Sequence, residues 1–266
     1  MSSHKENTEG RVVRQLMLGM ALTGMLLPAC IGNPTATDLE SGLDGEVLVS
    51  AASSLTHAFA EVEAAFEAAN PGVDVVLNLG ASSALREQIL EGAPADVFAS
   101  ANTSNMDQVV EAGEAAGPQI FVTNLLQIAV PAGNDTGVTG LGDFANEALL
   151  IGLCSEDVPC GDFGRQALEN AGVTPAIDTN EPDVRALLTK VEAGELDAGI
   201  VYATDVLSTA GTVEGIDIPE EDNVVANYPI AALTNAPNPD VASAFVAFVL
   251  SDEGQAILAE FGFSSP

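Results

Sequence analysis

EVLVSAASSLTHAFAEVEAAFEAANPGVDVVLNLGASSALREQILEGAPADVFAS, residues 46–100, decides the fold. EVLVSA (46–51) is a β-rich run. Leu55 to Ala69 then places Leu55, Ala58, Phe59, Val62, Ala65 and Phe66 at helical spacing. Asn70-Pro71-Gly72 stops that helix. VDVVLNLG (73–80) reads as a strand, Ser82 to Glu91 as a helix ending at Gly92, and DVFAS (96–100) as a third strand. Ser104 to Ala112 is a third helix. A βαβαβα order of this kind implies a parallel sheet with helices on both faces.

Further along, NLLQIAVP (124–131) is a strand, and a second α/β series follows it. LLIGLC (149–154) and DAGIVYA (197–203) are strands; Gly161 to Ala171 and Asp183 to Ala193 are helices. NYPIAALT (227–234) is a strand whose Pro229 suggests an edge or a crossing point. Val241 to Leu250 and Glu253 to Phe261 are closing helices. No Gly/Ser linker separates the two series. The reading is α/β, two lobes joined by strands, with a ligand cleft between them. Lobe one takes residues 45–126 plus 229–266 and lobe two 127–228. Ligands in such sheets sit at the carboxyl ends of strands, against helix N-termini.

The N-terminus has a separate logic. His4, Lys5, Arg11 and Arg14 precede the uncharged apolar run LMLGMALTGMLLPA (16–29). This run is too short to span a membrane and reads as the core of a secretory signal, residues 1–29. It ends in Leu27-Pro28-Ala29-Cys30, which resembles a bacterial lipobox, with Cys30 the expected lipidation site. Residues 30–44 read as a tether, about 20 Å across if flexible.

The 266 residues carry 39 acidic against 7 basic side chains, a formal charge of −32. Removing the signal takes two acids and three bases from those totals. Arg86, Arg165, Arg185 and Lys190 remain. A nucleic-acid binder needs clustered Lys and Arg to neutralise phosphates, so that class is excluded. The same balance argues against adhesion to an anionic membrane through a basic face. An apolar content of 47% is too high for disorder.

Cys154 and Cys160 (CSEDVPC) form a close pair, which in an exported protein is most simply a structural disulfide. A metal site would want more Cys or His nearby, and a redox-active pair usually has CxxC spacing. A thiol–disulfide protein stays open as a minor alternative.

Four strand-to-helix turns carry small or polar residues: 53–56, 81–83, 159–162 and 180–184. Each would present unpaired backbone N–H groups at the positive end of a helix dipole. Plain N-capping explains any one of them; four in a two-lobed protein make a shared anion site a rival. Catalysis has little support. Ser54 and His57 could suggest a secreted serine hydrolase, but they lie three apart at one helix start, without a G-x-S-x-G elbow. P-loop, Rossmann and HExxH signatures are absent from the sequence.

SAASSLTHAFAEVEAAFEAANPGVDVVLNLGASSALREQILEGAPADVFASAN (50–102), DVRALLTKVEAGELDAGIVYATD (183–205) and FVLSDEGQAILAEFGF (248–263) resemble the molybdate-binding proteins of bacterial molybdate ABC transporters. The likeness runs over nearly all of 46–263. It implies the class II periplasmic-binding-protein fold, no enzymatic activity and no cofactor. It implies a molybdate or tungstate oxyanion as ligand, a membrane permease as partner, and a monomer. Two serines, two backbone N–H groups and a Tyr hydroxyl hold the anion in that family. Carried over, these are Ser54, Ser82 (or Ser83), the N–H groups of Cys160 and Val184, and Tyr202. Cys160 stands where the family often has Ala. Molybdenum is then bound only as its oxyanion.

Molybdate is a dianion bearing only acceptors, so a site made of N–H and O–H donors suits it. Hydrogen phosphate keeps a proton and is disfavoured where no acceptor meets it. Sulfate, or another tetrahedral oxyanion, has the same acceptor pattern and is the alternative ligand. The acidic surface repels a dianion at long range, and salt screens that repulsion. The same self-repulsion destabilises the compact state, and the composition suits a saline habitat. The unfolding midpoint of the exported chain is therefore expected to rise markedly from low to high NaCl in a thermal melt; a flat response would remove the salt reading.

Overall fold

The computed structural model describes residues 42–266. The signal segment, Cys30 and most of the tether lie outside the described residues.

Strand β1 (Asp44–Ala52) has Val47, Val49 and Ala51 fully buried. A single 3-10 turn, Ser53–Leu55, leads from it into helix α1 (Thr56–Ala69). Ala58, Phe59, Val62 and Phe66 form the buried face of α1, as their spacing predicts. Strand β2 (Gly72–Gly80) alternates buried and exposed residues, helix α2 spans Ser82–Leu90, strand β3 spans Val97–Ala99 and helix α3 spans Thr103–Glu111. Strand β1 pairs parallel with both β2 and β3, as a βαβ chain requires.

The remaining elements are β4 (Gln119–Pro131), β5 (Ile151–Cys154), α4 (Pro159–Asn170), β6 (Thr179–Glu181), α5 (Val184–Glu192), β7 (Ala198–Tyr202), α6 (Ala203–Leu207), β8 (Val213–Asp217), β9 (Val225–Ala232), α7 (Pro239–Val249) and α8 (Asp252–Glu260). The strand order is β2-β1-β3-β9-β4-β7-β5-β6, with β8 also on β4. Strand β4 belongs to two ladders. Residues 119–125 pair antiparallel with β9; residues 126–131 pair antiparallel with β7 and β8. The second ladder contains its own parallel group, β6-β5-β7.

Three differences from the sequence reading are informative. Strand β4 starts five residues earlier than its apolar run, because pairing with β9 recruits QIFVT. β6, β8 and α6 are too short to show a period. Pro229 does not mark an edge: β9 is flanked by β3 and β4. The Pro lies opposite Ile120 where the β4 register shifts, so its missing N–H falls at a bulge.

Helices α7 and α8 close over the first ladder. Phe245 of α7 meets Phe59 and Phe66 edge-on, at ring distances of 6.2 and 5.3 Å. Phe59 in turn meets Phe121, and Phe121 meets Tyr228. An aromatic chain thus runs from the α7 face of the core to the paired strands β4 and β9. Phe245 is fully buried, so Phe245→Ala should cost about 3–5 kcal/mol through lost burial and an unfilled cavity. A chemical-denaturation curve would check this; a loss under about 1 kcal/mol would contradict the packing described.

Candidate functional site

Ser54, Ser82, Cys160, Val184 and Tyr202 all line one narrow cleft, together with Ser53, Ala81, Asp183 and five others. Ser83 is buried beside them but does not line the cleft. The free space is about 10 Å³, which is close to that of one water.

Each wall is built locally. Ser54 sits in the turn between β1 and α1, where Thr56 Oγ1 donates to Ser53 O at 2.6 Å. Its hydroxyl is 2.9 Å from the hydroxyl of Tyr228, on β9. It pairs there rather than with His57, which is exposed on the first turn of α1. Ser82 opens α2. Its Oγ accepts from Ala101 N–H at 3.0 Å, which leaves its proton free to point elsewhere. No side chain caps α2, so this serine is not spent on its own helix.

On the opposite wall, Cys160 lies in the first turn of α4, just after Pro159. Gly161 and Asp162 return their N–H groups to Val158 O, both at 3.0 Å. The Cys160 N–H precedes them, where a helix has no internal acceptor. The disulfide joins Cys160 to Cys154 at the end of β5, with Cα atoms 5.8 Å apart. Arg165 reinforces that turn, donating to Cys154 O at 2.8 Å and Gly161 O at 2.9 Å. Gly161 is required here: a Cβ would stand 1.8 Å from Ser155 O. Ser155 N–H reaches Glu181 O at 2.8 Å, which ties the disulfide loop to the approach of α5.

Helix α5 is the one conventional cap among the four turns. Asp183 Oδ1 accepts from Arg185 N at 2.8 Å and Ala186 N at 3.0 Å, leaving the Val184 N–H outside that cap. Asp183 also lines the cleft, so the cleft holds a carboxylate that the five expected positions lack. Two helix N–H groups already occupy the Oδ1 oxygen of that carboxylate.

Tyr202 ends β7. Its ring is buried against Tyr228, with centroids 5.9 Å apart and nearly edge-to-face. Its hydroxyl is the one buried side-chain polar atom among the described residues without a hydrogen-bond partner. Burial pushes the phenol well above its ordinary pKa, so it remains a donor at physiological pH. Its backbone N–H is held by Asp205 Oδ2 at 3.1 Å. This gives the Asp of GIVYATD a structural role: it fixes the step from β7 into α6.

Residue-by-residue reading missed Tyr228, Arg165 and Asp205. A faint signal for Tyr228 existed, since the chain has just two tyrosines. Beyond Ser54 a cavity of about 290 Å³ opens, lined by His57, Arg185, Asp205 and Glu260 among others.

The sequence profile of the family described as bacterial extracellular solute-binding protein matches residues 47–264. The chain belongs to that family. It is 38% identical to the molybdate-binding protein ModA of Mycobacterium bovis over 254 residues, covering 94% of this chain and 97% of that one. Its fold matches a Clostridium difficile structure described as the substrate-binding domain of a proposed molybdenum ABC transporter. There the TM-score is 0.63 and the identity 28%, over 83% of this chain and 99% of that one. The periplasmic molybdate-binding protein of Azotobacter vinelandii matches with a TM-score of 0.74 over 83% and 99% of the two chains. At 19% identity that likeness speaks for the fold alone. The expected two-lobed periplasmic-binding-protein fold is thus the fold of this chain.

Asp205 gives the site a pH signature. Burial pushes its carboxyl up to about 7, against the opposing effects of the Tyr202 N–H and of Arg185; the nearby Asp183 adds to the rise. A raised acid contributes stability while it is protonated in the folded state. That contribution fades as pH climbs from about 4 to about 7. Asp205→Asn keeps an acceptor for the Tyr202 N–H without the charge. Relative to the parent, the variant is expected to gain up to about 3 kcal/mol between pH 5 and pH 8. Denaturant melts at both pH values would check this; an unchanged difference would contradict it.

Proposed function

We propose that this protein is the capture component of an ABC importer for molybdate, and for tungstate, which has nearly the same size and charge. The observation that carries the reading is the buried, unpartnered hydroxyl of Tyr202 on the wall of a cleft lined by Ser54 and Ser82. Leaving such a group unpaired costs about 1–3 kcal/mol. A dianion with four acceptor oxygens removes that cost. Ser54, Ser82 and Tyr202 donate their hydroxyl protons, and Cys160 and Val184 their backbone N–H groups at the starts of α4 and α5. No Lys or Arg is needed, because the two helix ends supply partial positive charge. The relatives named for molybdate binding support the same ligand.

Binding in this reading is a closing of two lobes, 45–126 with 229–266 and 127–228, over the anion. The space of about one water between the walls means that the anion enters when they part. The protein acts as a monomer without cofactor or catalysis, and hands the anion to a membrane permease. Lipid on Cys30, after removal of residues 1–29, holds it at the outer face of the membrane.

The test is thermal unfolding of the exported chain with molybdate, tungstate, sulfate or phosphate. At 100 times its dissociation constant a ligand adds about 2.7 kcal/mol, roughly 5–10 °C for a domain of this size. A rise with molybdate and tungstate alone is the expected result. A rise with sulfate as well would move the function to a general oxyanion carrier, and no rise with any anion would remove the reading. Ser82→Ala combined with Tyr202→Phe should weaken molybdate binding by roughly a hundredfold or more, at about 1.5–3 kcal/mol per hydrogen bond to a charged group. Calorimetric titration would measure this, and unchanged affinity would refute the site.

A further inference from the structure

We propose that Tyr228 is a positioning residue for the oxyanion site, setting the direction of the Ser54 hydroxyl proton and thereby favouring fully deprotonated anions. The inference rests on the oxyanion reading of the cleft and adds a residue that does not line it.

The geometry is simple. Ser54 Oγ and Tyr228 Oη stand 2.9 Å apart, and either could donate. A serine hydroxyl has one proton and two lone pairs. An anion made only of acceptors needs that proton. Ser54 then has only lone pairs left for Tyr228, so the phenol must be the donor. The order is Tyr228 to Ser54 to anion, a chain in which each bond polarises the next.

Tyr228 is built for a fixed role. It is fully buried on β9, between β3 and β4. Its ring meets Phe121, Tyr202 and Phe263 edge-on, at 6.4, 5.9 and 5.6 Å. These contacts restrain the ring and hold its hydroxyl at Ser54. Burial raises its pKa above the ordinary phenol value, so the proton stays on the phenol. The same residue therefore touches a serine of one wall through its hydroxyl and the tyrosine of the other through its ring.

The consequence is selectivity. With the phenol donating, the Ser54 lone pairs are drawn toward Tyr228 and its proton faces the cleft. A ligand carrying its own proton, such as hydrogen phosphate, meets a donor there instead of an acceptor. Without the phenol, Ser54 is free to turn and accept that proton.

The test is a double-mutant cycle on the exported chain, using Tyr228→Phe, Ser54→Ala and both, with titration of molybdate and of phosphate near pH 7. Tyr228→Phe keeps the ring and removes the donor. It should weaken molybdate binding roughly five- to tenfold, the loss of one hydrogen bond, and narrow the preference for molybdate over phosphate. In the Ser54→Ala background it should change neither. An equal effect in both backgrounds would make Tyr228 a packing residue and overturn the proposal. Parent-like affinity and preference in Tyr228→Phe would also overturn it. If the parent chain binds neither anion, the functional reading falls and the proposal with it.

Discussion

The pairing of β4 with β9 is the constraint on which the rest of the structure depends. Strand β4 gives one half of its length to β9 and the other half to β7 and β8. Its register sets Val122 opposite Tyr228 and Leu126 opposite Tyr202. The two tyrosines are thus fixed four residues apart along one strand, although 26 residues separate them in sequence. Because side chains alternate along a strand, an even spacing keeps both on one face. A one-residue slip on either side would send one ring to the opposite face and dissolve the contact between them.

The electrostatics of the molecule divide into surface and cleft. The surface is dominated by acids, and the described residues hold two ion pairs, Arg86–Glu87 and Lys190–Glu181. The cleft is lined by neutral groups, with Asp183 as its one charged side chain. An exposed cation would be screened by salt, whereas a helix N-terminus or a buried hydroxyl acts at contact distance in a low dielectric. Arg165, one of the few cations, binds no anion; it clamps the carbonyls of Cys154 and Gly161. The disulfide, this clamp and the absence of a Cβ at Gly161 all act on one short loop. Together they fix the start of α4, where Cys160 lines the cleft.

Much of the candidate site was legible in the sequence. The turns at 53–56, 81–83, 159–162 and 180–184 stood out as strand-to-helix junctions, and all four contribute to the cleft lining. What set three of them apart from ordinary caps was not legible. Asp183 is a cap, while Ser82 takes a bond from Ala101 and Ser54 one with Tyr228. Those partners lie 19 and 174 residues away, beyond any local pattern. Asp183 also brings a carboxylate to the cleft wall, which the list of donors alone did not suggest.

The sequence by itself determined the α/β alternation, the main helices with their buried faces, the strands they connect and the close cysteine pair. Hydrophobic period, turn residues and spacing are local quantities, and each of these features is local. Tertiary structure decided what depends on contacts distant in sequence: the recruitment of QIFVT into β4, the bulge that accommodates Pro229, and the short strands β6 and β8. It also decided the meeting of Tyr202, Tyr228 and Ser54. A hydroxyl has a chemical direction only when its partner is in place, and those partners are brought together by the register of β4 with β9 and β7.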